Sequence, residues 1–285
     1  MKAKQNFRIV PPRHGLVWLV NSFSLLKLQP VRLFFVAVVM QFILSLSSVN
    51  LIGFLVVLAI PGLSAGMLET LRRVSTGLRP MTSCLFVPLS SGPHVARFLA
   101  LGGIIFFAGA ASIMLFLSGG ENTLDPEILQ RIEQGDTSAV ALLDPAVVQR
   151  LLMAVTIGVA ISGTLSFFSI PLLWFRNMSL GLAIRTGVSA LMANWKPFLV
   201  MGVSLLALSI PVMLVLGMVF GAGGGSLLGI AAVLFLMLGF QLVMFATQYC
   251  SFIDIFPDQA KSQSDGSGSE DNEEQSSDDS GEFIA

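Results

Sequence analysis

The chain has 285 residues, of which 54% are hydrophobic and 12% charged, with a mean hydropathy of +0.82. That usage excludes an ordinary soluble domain and indicates a polytopic membrane protein. The net charge of −1 hides an asymmetry, because nine carboxylates crowd residues 258–285 while most Lys and Arg lie upstream, and nothing in this balance suggests nucleic acid as a partner.

Residues 1–29 open with Lys2, Lys4 and Arg8 ahead of apolar sequence, the layout of a signal peptide. Pro11, Pro12, Arg13 and His14 interrupt it, Asn21, Ser22 and Ser24 break the next apolar stretch, and no small-residue cleavage site follows, so the segment reads as retained. In "GLVWLVNSFSLLKLQP" the apolar residues Leu16, Leu19, Phe23 and Leu26 form a helical stripe, which predicts an amphipathic interfacial helix with Trp18 at the headgroups.

Crossing about 30 Å of hydrocarbon takes about 20 apolar residues as a helix. Six segments of the membrane domain, residues 30–256, meet or approach that length: Pro30 to Ser48, Asn50 to Leu68, Ala96 to Ser118, Leu151 to Phe175, Phe198 to Phe220 and Ser226 to Tyr249. The first two are short and separated only by "SSVN", so one broken segment or a re-entrant hairpin competes with two full spans. Charge favours two. With six spans, fourteen of the sixteen Lys and Arg share the face that carries both termini, and only Arg131 and Arg150 lie opposite. By the positive-inside rule that face is the cytoplasm. The expected fold is an all-α, polytopic transmembrane helical bundle of about six spans in three hairpins, flanked by amphipathic interfacial helices.

Between the second and third spans, residues 69–95 include "MLETLRRVSTGLRP", where Leu71, Val74 and Leu78 run beside Arg72 and Arg73. This predicts a second interfacial helix. The external loop, residues 119–150, contains two Asp-Pro pairs, at Asp125-Pro126 and Asp144-Pro145, each an N-cap followed by proline at the first helical position. Two short helices are expected there, the first with Ile128, Leu129 and Ile132 as its apolar face and Gly135 as its stop. After the fourth span, residues 176–197 hold Leu180, Ile184, Val188, Leu191 and Trp195 at steps of four and three, with Arg185, Ser189 and Lys196 away from the stripe. A third interfacial helix, anchored by Trp195, follows. Pro30, Pro93 and Pro197 sit at or before odd-numbered spans and Pro61, Pro171 and Pro257 in or after even-numbered ones, a pattern compatible with a threefold hairpin repeat or with ordinary proline placement at helix ends. Residues 257–285 are mostly Ser, Gly, Asp and Glu and cannot bury a core. A disordered acidic tail is expected, either as a solubilising terminus or folded back on the basic helices.

Candidate functional residues are few. Arg72, Arg73, Arg185 and Lys196, with Trp18 and Trp195, could contact lipid headgroups or a protein partner on the cytoplasmic face. Ser162, Thr164 and Ser166 of the fourth span and Gln241 of the sixth could form a polar seam, although small and hydroxyl residues also serve plain helix packing. Glu69 and Asp254 lie singly at the ends of spans, where they would neutralise nearby arginines. His14, His94, Cys84 and Cys250 match no metal or redox spacing, no phosphate loop or nucleophile motif is present, and no paired carboxylates mark a catalytic centre. No catalytic residue, cofactor or metal is assigned. Two functions remain: a non-enzymatic scaffold or regulatory protein of the membrane, and a transporter or lipid-handling protein for a neutral or lipid-like substrate.

The stretches "GLVWLVNSFSLLKLQP", "IPGLSAGMLETLRRVSTGLRP" and "LGLAIRTGVSALMANWKPFL", the last ending in Asn-Trp-x-Pro, give the chain a resemblance to a family of bacterial six-span inner-membrane proteins. It is similar in layout to the YciC group and to the membrane domain attached to some glycerophosphodiester phosphodiesterases. The resemblance covers roughly residues 10–256, implies a bacterial inner membrane and six spans, and brings no activity, since the phosphodiesterase catalytic domain has no counterpart in this sequence.

Overall fold

The structure is a computed structural model that describes residues 7–48, 50–90, 92–117, 126–134, 142–221 and 227–257. The acidic tail, most of the external loop and the Gly-rich turn at 222–226 lie outside the described residues, as do the side chains of Leu129 and Ile132. Among the described residues every regular element is helical. That is what long apolar runs require in hydrocarbon, where each backbone N–H and C=O must be satisfied within its own segment.

Helix α1 (His14–Leu28) meets α2 (Pro30–Ser45) at a bend of 100°. Pro30 excludes Gln29 from the helical region, and Gln29 accordingly adopts φ −146° and ψ 61°. Helix α2 is only 16 residues long, about 24 Å at 1.5 Å per residue. It turns through a short 3₁₀ segment, Leu46–Ser48, into α3 (Asn50–Ser75). Five helices are individually long and apolar enough to cross a membrane, and the pair α1 with α2, a broken span or a re-entrant loop, brings the number to six when it is counted as one span.

The expected interfacial helix within residues 69–95 does not exist as a separate element. Helix α3 continues without a break through Leu71, Arg72, Arg73 and Val74. It stops where Gly77 takes φ +75° and the Leu78 amide reaches back to the Arg73 carbonyl, a helix end that favours glycine. Leu71 and Val74, read from sequence as a lipid-facing stripe, are buried in the protein core, while Leu78 is exposed. The chain then returns through a 3₁₀ turn (Thr82–Leu85) and the one-turn α4 (Val87–Ser90), both packed on α3.

Helix α5 (Gly92–Leu117) pairs closely with α7 (Pro145–Ser166), beyond the short α6 (Pro126–Glu133) of the external loop. Asp144 caps α7 as expected, its Oδ1 accepting from the Ala146 amide at 2.8 Å. The fourth span breaks at Phe167-Phe168 and finishes in α8 (Ser169–Phe175). Helix α9 (Leu180–Ala193) is separate, as the sequence predicts, and leads into α10 (Trp195–Gly221) and α11 (Leu227–Ile255).

The buried face of α9 consists of Ala183, Gly187 and Ala190, with Leu180, Ile184 and Leu191 on its shoulder. In α1 the buried residues are Gly15, Trp18, Leu19, Ser22 and Leu25, whereas Leu16 and Phe23 of the expected stripe are exposed. The most enclosed span is α3, 56% buried, and the least is α10, 11% buried. Helix α3 is therefore the central post, and α10 turns most of its apolar surface outward, as contact with lipid allows. The three expected hairpins form as α2 with α3, α5 with α7 and α10 with α11, and α1 lies across the ends of α10 and α11.

Candidate functional site

Residues 8–18 meet the end of α11 at one end of the bundle, near the two carboxylates that close even-numbered spans. On α3, Glu69 is 5% exposed, and a charge so buried requires ionic partners. Arg72 gives it a two-pronged bond, Nε to Oε2 at 2.8 Å and Nη2 to Oε1 at 2.7 Å, and Arg73 approaches Oε1 at 3.4 Å. Trp174 of α8 donates its indole N–H to Oε2 at 3.2 Å.

On α11, Asp254 repeats the arrangement with remote partners. It binds the Arg8 guanidinium, lies 2.6 Å from His14 Nδ1 and accepts the Trp18 indole N–H at 2.8 Å. Asn194, 1% exposed at the end of α9, holds the same strand of chain. Its Oδ1 accepts from the Val10 amide at 2.9 Å and its Nδ2 donates to the Arg8 carbonyl at 3.2 Å, while the Arg8 amide donates to the Ile255 carbonyl at 2.8 Å.

Glu69 and Arg72 border an open cleft of 530 Å³. Helix α3 contributes Glu69, Arg72 and Thr76, the end of α8 contributes Trp174, Phe175 and Arg176, and α11 contributes Tyr249, Phe252, Ile253 and Phe256. The wall is held in place by its own bonds. Tyr249 Oη lies 2.9 Å from Ser75 Oγ, and Arg176 Nη2 donates to the carbonyls of Phe256 and Pro257 at 2.8 and 2.9 Å. His94 of α5 supports Trp174 from behind, edge to face at 5.2 Å between ring centroids. Guanidiniums beside aromatic faces suit a ligand that joins an anionic group to an apolar body.

The structure distributes the sequence-derived candidates differently. Trp18 is not a headgroup anchor: it is 1% exposed, packed on Phe198 and bonded to Asp254. Arg72 enters the cleft, and Arg73 completes the Glu69 pair beside it. Arg185, Trp195 and Lys196 are exposed, with Lys196 Nζ 5.8 Å from the Trp195 ring centre, and they stand apart from the cleft lining.

The proposed seam of the fourth and sixth spans is not formed. Ser162 and Ser166 face a 460 Å³ groove bounded by α3 and α5, whereas Gln241 lines a 350 Å³ groove with Gln41 of α2 and Ser209 of α10. Thr164 lines neither, its hydroxyl donating to the Ala160 carbonyl at 2.8 Å, and Ser166 likewise bonds to the Ser162 carbonyl at 2.7 Å. Trp174, Arg176 and Tyr249 were not singled out from sequence. The available signal was Glu69, a lone carboxylate within an apolar helix, which demands partners from elsewhere. Among the described residues no three His, Cys, Asp or Glu side chains converge as a metal site. No family model, no curated protein and no solved structure matches the chain.

Proposed function

We propose that the protein is a non-enzymatic scaffold or regulatory protein of the bacterial inner membrane, both termini cytoplasmic, whose cleft at the cytoplasmic end holds the anionic headgroup of a membrane lipid. One observation carries this reading: Arg72 and Arg176 face a common 530 Å³ space that five aromatic residues line together with Glu69, Thr76 and Ile253. The gathering of fourteen of sixteen Lys and Arg on the terminal-bearing face supports the orientation, and the resemblance to six-span inner-membrane proteins supports the compartment. The other basic residues of that face, including Arg185 and Lys196, would draw anionic lipid or an acidic protein partner toward it.

Purified protein in nanodiscs, with retained lipid counted by native mass spectrometry, tests the site. Phosphatidylglycerol should be held in preference to phosphatidylcholine, and Arg176→Gln should weaken that retention about fivefold, the equivalent of about 1 kcal/mol for one cation near an anionic surface. Arg185→Gln, outside the cleft, should leave it unchanged. Equal retention of both lipids, or indifference to Arg176→Gln, overturns the proposal.

A second reading, movement of a neutral or lipid-like substrate, draws support from the groove that holds Gln41, Ser209 and Gln241 among apolar walls. Flux in proteoliposomes that falls with Gln241→Leu and persists with Arg176→Gln would replace the first reading with the second.

A further inference from the structure

Most hydroxyls in the apolar spans are satisfied by their own helix. Ser112, Thr156, Thr164, Ser166, Ser204 and Thr247 each donate to the carbonyl four residues earlier, at 2.7–2.9 Å. Ser64 of α3 and Ser162 of α7 do not: among the described residues neither hydroxyl has a hydrogen-bond partner. Ser64 is only 7% exposed, and both side chains line the 460 Å³ groove beside α5. Within hydrocarbon an unpaired hydroxyl is costly, so two of them turned into one space call for a ligand that accepts from both.

The rest of the groove defines that ligand. Helix α5 packs on both α3 and α7 and forms the floor, which places Ser64 and Ser162 on different walls. Two patches of the lining are bare main chain, since a Cβ at Gly109 or Gly163 would meet nothing within 4 Å. Backbone left open in this way lets a flat body lie directly against it. No lining residue is charged, so a phosphate or carboxylate headgroup would find no counterion there. The volume falls within the about 300–1,000 Å³ usual for small-molecule sites.

We infer that this groove is a binding site for a membrane quinone, a neutral planar ring with two carbonyl oxygens and a long apolar tail. Ser64 and Ser162 donate to carbonyls on opposite edges of the ring, the ring lies along Gly109 and Gly163, and the tail leaves past Ile105 and Val159 into lipid. A diacylglycerol could also accept from the two hydroxyls, but it has no flat face to set against the glycines. The inference is independent of the anion cleft, with which this groove shares no residue.

The full chain in phosphatidylcholine nanodiscs, photolabelled with an azidoquinone and mapped by mass spectrometry, tests the site. Label should fall on α3, α5 and α7 and be displaced by decylubiquinone, with dioleoylglycerol far weaker as a competitor. Ser64→Ala and Ser162→Ala should each raise the decylubiquinone concentration needed for displacement about fivefold, the share of one hydrogen bond. Gly163→Leu places a side chain in the groove where its Cβ meets nothing within 4 Å, and it should abolish labelling. Gly202→Leu on α10, equally free of contacts and outside the groove, should leave labelling unchanged. Labelling outside these three helices, or labelling that survives Gly163→Leu, overturns the inference. Indifference to both serine substitutions overturns it as well, whatever the leucine does to packing. Displacement by dioleoylglycerol at the concentration that suffices for the quinone overturns the ring and assigns the groove to an ester lipid.

Discussion

Trp18 and Trp174 do the same work at two places: each passes an indole N–H to a carboxylate near the end of a span, Trp18 to Asp254 at 2.8 Å and Trp174 to Glu69 at 3.2 Å. Sequence could supply neither pairing, because tryptophan beside an apolar run ordinarily reads as an interfacial anchor and the carboxylate that claims Trp18 lies 236 residues away. Removing one such acceptor strands its donors. Asp254→Ala should lower stability by about 2 kcal/mol, the cost of losing bonds to a charged group, read as earlier thermal unfolding in detergent. Trypsin should cut faster at Arg8 and Arg13 in the same variant. Close backbone approach is equally invisible in composition. A Cβ at Gly102 would come within 2.2 Å of the Leu58 carbonyl oxygen of α3, whereas one at the adjacent Gly103 meets nothing within 4 Å. Gly102→Ala should therefore cost about 1–3 kcal/mol by overpacking, and Gly103→Ala should unfold at the wild-type temperature.

At the scale of elements, the spans and α9 were legible, because apolar length and a stepped polar residue are local properties. The misread stretch, residues 69–95, shows the limit. Two adjacent arginines after an apolar run look like the start of an interfacial helix, yet Glu69 one turn earlier takes up their charge and lets α3 continue. The supposed seam failed for a related reason: in a helix that is apolar on all sides, periodicity does not say which face meets which neighbour. Ser166 and Gln241 consequently serve different grooves. Topology can be tested on the exposed residues Ser189 of α9 and Gln130 of α6. Cysteines at the two positions should react with an impermeant maleimide from opposite sides of the membrane, and labelling of both from one side would contradict the six-span arrangement.

For the whole molecule, the Arg8 amide and the Ile255 carbonyl bring the first and last described segments together at one end of the bundle. The cleft was not legible, since its lining comes from α3, α8 and α11 and no stretch of sequence carries more than four of its ten residues. Pro30, Pro93 and Pro197 fall at the first, second and third residues of α2, α5 and α10, so each hairpin is entered through a proline-marked change of direction. The grip of α11 on α1 also sets a schedule. Asp254 is made 236 residues after Trp18, which at about 5–20 residues per second is an interval of roughly 12–47 s. Throughout it Trp18 has no carboxylate to accept its indole N–H, so the ribosome must deliver the last span before the seating of the first part of the protein to be synthesised is complete.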